Sequence, residues 1–140
     1  MTEFKKLVKS WNLEFFTAEE LLTKGASNGQ YRTNTDPPEH LWNRMKATAK
    51  VADEARRRLG SPVRVLSAYR SPKYNQQVGG AKCSQHKEFT ALDLQPTILP
   101  AIALYEVLAT MRREGFWKGG LGRYNTFVHI DTRGFNASWG

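Results

Sequence analysis

The stretch that decides the fold is residues 119–131, Gly119-Gly120-Leu121-Gly122-Arg123-Tyr124-Asn125-Thr126-Phe127-Val128-His129-Ile130-Asp131. It reads as two short strands, 119–124 and 127–131, around a tight turn. Strands that close together have no room for a crossover helix between them, so they pair antiparallel. In the second strand Val128 and Ile130 take one face, and His129 and Asp131 take the other. An apolar face for a core and a polar face for chemistry are thus written into a few residues.

Working outward, the pattern before this hairpin is helical with two further strands. Residues 98–114 form an amphipathic helix, with Ile102, Tyr105, Leu108 and Met111 on one face and Gly115 as its stop. Thr90-Ala91-Leu92-Asp93-Leu94 alternates as a strand. Val63-Arg64-Val65-Leu66-Ser67-Ala68-Tyr69 is a strand rich in β-branched residues. Between them, Ser71-Pro72 caps a short helix that runs to about Val78, and Gly79-Gly80 breaks it. Asp36-Pro37-Pro38-Glu39 opens the longest helix, whose stripe is Leu41, Met45, Ala49, Ala52, Ala55 and Leu59, ended by Gly60. Residues 25–36 read as a polar surface loop. Thr17-Ala18-Glu19-Glu20 is a capping box that starts a helix through Leu21 and Leu22 to Lys24. Helices first and close-set strands late give an α+β class: a small antiparallel sheet with helices on one face.

Composition sets the frame. The chain has 140 residues and is 40% hydrophobic and 24% charged, the balance of a soluble globular domain. A chain of this mass buries about two-thirds of its open surface on folding. One core, and one domain spanning 1–140, is the expectation. No apolar run reaches membrane-span length, and no signal-peptide stretch follows Met1-Thr2-Glu3. The single cysteine, Cys83, excludes an internal disulfide framework; it reads as a small turn residue. The net charge of +8 points to an anionic partner. Arg56-Arg57-Arg58 sits where a helix dipole favours cations and reads as a solvated helix end. Without interleaved aromatics or a groove-reading motif it argues against specific nucleic-acid binding.

Three histidines are present. His40 falls in the first turn of the long helix and reads as a surface residue. His86 precedes Asp93, which interrupts an apolar strand. With Leu92 and Leu94 facing the core, Asp93 points to the open face, beside His129 and Asp131 from the hairpin. His86 arrives from the preceding loop. Two histidines and an aspartate form a three-ligand set for zinc that leaves a fourth position for water, as a catalytic site requires. By spacing alone this is a weak signal, and two ordinary polar residues with a solvated aspartate are the favoured reading.

The ordered motifs carry a resemblance. Ser84-x-His86-x6-Asp93 with the late His129 resembles the zinc D-alanyl-D-alanine carboxypeptidase family, which includes phage L-alanyl-D-glutamate endopeptidases and shares its fold with the hedgehog signalling domain. Ser67-Ala68-Tyr69-Arg70-Ser71-Pro72, Tyr74-Asn75, Val78-Gly79-Gly80-Ala81, Gly122-Arg123-Tyr124 and His129-Ile130-Asp131-Thr132-Arg133-Gly134 are similar to its small-domain branch, and so is the opening Phe16-Thr17-Ala18-Glu19-Glu20-Leu21. The resemblance implies zinc ligands at His86, Asp93 and His129. It implies that Arg70 faces the site, where a guanidinium fork binds a substrate carboxylate or polarises the scissile carbonyl. Ser84 orients the first ligand, binds substrate, or is a plain turn hydroxyl.

Two departures stand out. Many relatives carry a glycine in the segment that here reads Lys87-Glu88-Phe89-Thr90, and the bulky Phe89 implies another loop path or a narrower mouth. Many relatives place a catalytic carboxylate three residues before the last histidine, where this chain has Thr126. Asp131 then becomes the candidate general base, with a partner that holds the histidine ring as its rival role; Glu88 is in reserve. Trp42, Trp117 and Trp139 are candidates for a sugar-binding groove, against core packing for the first and partly exposed rings for the others. The resemblance thus implies a monomeric zinc metallopeptidase that cleaves an amide bond in peptidoglycan stem peptides, of carboxypeptidase or endopeptidase type, such as an endolysin held in the cytoplasm until its release to the wall. The alternative is a zinc-stabilised wall-binding module of the same fold.

Overall fold

The computed structural model describes residues 2–25 and 34–140; most of the loop expected over 25–36 lies outside the described residues. The chain is α+β. A five-stranded sheet has the order β1-β2-β4-β3-β5, from β1 (Val63–Ser67), β2 (Ala91–Pro96), β3 (Gly120–Arg123), β4 (Val128–Asp131) and β5 (Ala137–Trp139). The pairs β1·β2, β2·β4 and β3·β4 are antiparallel, and β5 joins β3 in parallel. The expected sheet therefore gains an edge strand running the other way. Three residues after Gly134 carry almost no periodicity, so β5 had no signal of its own.

Helices α2 (Met45–Leu59) and α4 (Ala101–Arg113) supply most of the helical cover, and the short α3 (Pro72–Gln77), capped by Ser71, lies between them in sequence. Met45, Ala49, Ala52 and Ala55 from α2, and Leu104, Leu108 and Met111 from α4, meet Leu92, Leu94, Leu121, Val128 and Ile130 of the sheet in one core. Small alanines on α2 let the helix approach closely, so the core is filled by the larger side chains facing it. The register puts Leu92 opposite Ile130 and Leu94 opposite Val128, which leaves Ala91, Asp93, His129 and Asp131 on the other face.

Several local expectations change. The long helix begins as a 3-10 segment, Glu39–Arg44, before α2, and ends at Gly60 with φ +67° as a left-handed cap. The capping box forms: the Thr17 amide donates to Glu20 Oε1 at 3.0 Å and the Glu20 amide to Thr17 Oγ1 at 3.2 Å. It starts only one 3-10 turn, Glu20–Leu22, because Gly25 follows within a turn. An N-terminal helix, α1 (Thr2–Lys9), was not expected; it buries Phe4 and Val8, four residues apart, against the core. Trp117 is buried in the core, with its Nε1 donating to Leu108 O at 3.1 Å, rather than partly exposed. Among the described residues no helix is long and apolar enough to cross a membrane.

Candidate metal centre and active site

The register of β2 and β4 builds the site. Asp93 lies directly opposite His129, and both side chains stand on the face away from the helices. His86 comes from a 3-10 turn, Gln85–Glu88, tied down at both ends. Ser84 caps it, its Oγ accepting from the His86 amide at 3.2 Å. Phe89 closes it in the left-handed conformation, φ 57°, where glycine would be unstrained. The Phe89 ring turns into the core, 5.9 Å from Phe4 and 6.2 Å from Tyr69. It therefore does not narrow the mouth of the site; burial of a large ring offsets a backbone cost of about 1–2 kcal/mol.

One donor atom each from His86, Asp93 and His129 lies within 4.8 Å of the others, and all three residues are buried. The atoms at the centre are His86 Nε2, 3.3 Å from Asp93 Oδ2, and His129 Nδ1, 3.0 Å from Asp93 Oδ1. The far nitrogen of each ring is committed elsewhere. His86 Nδ1 donates to the Ala68 carbonyl at 2.6 Å. His129 Nε2 faces Asp131 Oδ2 at 2.8 Å. With those protons assigned outward, two lone pairs and a carboxylate converge on one point, an arrangement that a bound metal ion would satisfy and that protonated imidazoles satisfy without one. The donor set, two imidazole nitrogens and one carboxylate oxygen, suits zinc.

Burial opposes ionisation of Asp93, but the neighbouring imidazoles outweigh it and hold its carboxyl well below the usual range. His129 is raised: burial works against its charge, and hydrogen bonds to Asp131 and Asp93 win.

Asp131 is fully buried. Oδ1 accepts from the Gly120 amide at 2.9 Å, from the Arg133 amide at 3.2 Å and from Arg133 Nε at 2.9 Å. Oδ2 accepts from Arg133 Nη2 at 2.8 Å as well as facing His129. Gly120 must lack a side chain here, since a Cβ would come within 2.4 Å of Asp131 Oδ2. Burial again opposes ionisation, and the bonds from Arg133 and His129 overcome it, so the carboxyl stays ionised well below its ordinary pKa.

The cleft over the cluster holds about 500 Å³ and is lined by Arg70, His86, Asp93 and His129 among others. Arg70 Nη2 is 3.6 Å from Asp93 Oδ2 and its Nη1 donates to Asn75 Oδ1 at 3.4 Å. Ser84 and the exposed Cys83 also line the cleft, and Cys83 stands outside the converging donor set. Asp131 does not line it. Neither does Glu88, which pairs with Arg44 at 2.9 Å on the surface. His40 is exposed, and Trp42 packs on the core with its Nε1 donating to Pro37 O at 3.0 Å. Sequence reasoning gave Arg133 no role of its own; it lies beyond the end of β4 at Asp131, and its place in the motif running from His129 to Gly134 was the only signal available.

A search of curated proteins finds no match to this chain. The family model for Peptidase M15 matches residues 14–131, a span that contains His86, Asp93 and His129. Members of that family are metal-dependent peptidases, usually with zinc. The chain belongs to the Peptidase M15 family.

Proposed function

We propose that the chain is a zinc-dependent peptidase that hydrolyses an amide bond in the stem peptide of bacterial peptidoglycan, as a carboxypeptidase or an endopeptidase. The observation that carries this reading is the buried His86–Asp93–His129 donor set at the floor of an open cleft with a guanidinium beside it. Zinc held there supplies Lewis-acid activation of water and of the substrate carbonyl.

The protein groups have separate tasks. His86 and His129 are pre-oriented by Ala68 O and Asp131, so little ordering is left to metal uptake. Arg70 binds the substrate carboxylate or the oxygen of the scissile carbonyl as charge develops on it. Ser84 orients His86 through the turn that it caps. Asp131 positions His129, the rival role open to it from sequence. Its five protein donors, His129 among them, and its full burial leave no lone pair directed into the cleft, which argues against a proton-accepting role. The excess of basic residues, +8 overall, favours an anionic polymer such as the cell wall.

A second reading, a metal-held binding module without catalysis, is favoured by one observation. Among the described residues lining the cleft, Asp93 is the sole carboxylate. Defined stem peptides incubated with the zinc-loaded protein separate the two. Products of the masses expected for one cleaved amide support the peptidase; binding without products supports the module.

A further inference from the structure

The family match ends at residue 131, yet the chain continues into β5, which reaches back to the site. Trp139 on β5 lies with its ring 5.1 Å from the His129 ring, and the Arg133 guanidinium lies 5.2 Å from the centre of the indole. The sheet makes room for it: a Cβ on Gly122, its register partner, would sit 2.4 Å from Trp139 Nε1. That nitrogen donates to Tyr124 Oη at 3.0 Å. Tyr124 in turn stacks on Phe127, with centroids 4.5 Å apart and planes within 5°. All three rings line the cleft that holds the metal ligands.

This group of rings adjoins the site and is only partly covered; Tyr124, stacked on Phe127 by one face, is 43% exposed. An aliphatic side chain would gain most from an enclosed pocket that removes it wholly from water. A pyranose ring has different needs. Its C–H-bearing face carries a slight positive charge that suits the electron-rich face of an aromatic ring, while its hydroxyls stay at a wet rim. The rim here is polar: Tyr124 Oη accepts from Trp139, which leaves its own proton to donate.

We propose that Trp139, Tyr124 and Phe127 form a saccharide subsite that binds the amino sugar to which a peptidoglycan stem is attached, and so makes the sugar-bearing peptide the preferred substrate. This rests on the peptidase reading for its substrate, but not for its binding test. Two substrates are compared in the zinc-loaded protein: a stem peptide alone, and the same peptide on its disaccharide. The expected result is a kcat/KM about tenfold higher for the sugar-bearing form, equivalent to about 1.4 kcal/mol. The preference falls to about one in Tyr124→Ala. Equal rates on both substrates in the unaltered protein, or an undiminished preference in Tyr124→Ala, overturn the proposal.

A measurement without turnover stands beside it. An N-acetylglucosamine oligosaccharide titrated into the protein should change the tryptophan emission in a saturable way, and Trp139→Phe should abolish that change. No saturable change overturns the subsite even if both peptides are cleaved. Saturable binding with neither peptide cleaved overturns the peptidase reading and leaves the subsite standing. Should Trp139→Phe fail to fold, loss of the saturable change in Tyr124→Ala decides the question.

Discussion

The C-terminal end of α2 and the open face of the sheet are both built from arginine–carboxylate pairs, and they have opposite characters. On α2, Arg57 reaches Glu14, Asp53 and Glu54, and Arg58 bridges Glu54 to Glu114, with the guanidinium groups a third or more exposed. On the sheet, Arg133 grips a carboxylate that is wholly out of water. Exposed pairs gain little, because water screens them and long side chains lose freedom. A buried pair is costly to break, since the survivor is left charged and unpaired. The first network therefore staples the helix end to its neighbours, whereas the second fixes the orientation of one imidazole. The same pair chemistry serves stability in one place and the site in the other, and burial decides which.

That contrast can be broken most severely at the donor set. Asp93→Ala should abolish stoichiometric metal binding and reduce any peptidase activity to background, as read by metal analysis after gel filtration and by product masses. Retained stoichiometric metal would mean that the converging atoms are not the ligands.

Asp131→Asn comes next. It should lower stability by about 3–5 kcal/mol, because Arg133 is left without its counter-ion. It should also weaken metal binding about 10–100-fold, because the His129 ring loses the acceptor that orients it. A residue acting only as proton acceptor would lose rate with metal affinity intact, so competition with a chelator tells positioning from acid–base work.

Asp53→Ala tests the helix end where it is least exposed. Asp53 accepts from the Glu14 and Phe15 amides, at 3.1 Å and 2.8 Å for its Oδ1. Losing those acceptors should cost about 1–3 kcal/mol in chemical denaturation. Metal content should not change, since the residue lies on α2 and not among the donors.

How far this contrast was legible from the sequence differs between its two sides. Alternation in 90–94 and 127–131 placed Asp93, His129 and Asp131 on one face, and the β2·β4 register bears that out. Period-two patterns specify faces strongly wherever one face must be buried. The roles within the cluster were less legible. Which nitrogen of His129 turns inward, and which donors surround Asp131, depend on Gly120 and Arg133, contacts that no periodicity encodes. The helix end reads plainly as a run of arginines, but their partners Glu14 and Glu114 are brought in by tertiary packing. The edge strand β5 was invisible because three residues at an edge are held by pairing to β3 rather than by their own propensity.

The smallest effect is expected where the sequence looked most conspicuous. Arg58→Ala should lower the melting temperature by no more than about 1–2 °C at neutral pH and low salt. Its sign with pH follows from Glu54, whose pKa is held below the ordinary value by hydrogen bonds from Arg58 and then Arg57. A carboxyl depressed in the folded state contributes its stabilisation fully above its unfolded pKa, about 4.3, and loses it as pH falls through the lower folded value. The difference between the unaltered chain and Arg58→Ala should therefore be constant from pH 8 to about 5 and shrink toward zero in more acid solution. Adding salt at pH 7 should shrink it too, because the pairs are exposed. A salt-resistant difference of several degrees would mean that the end of α2 is not the solvated staple described above, and that its pairs resemble the buried pair on the sheet.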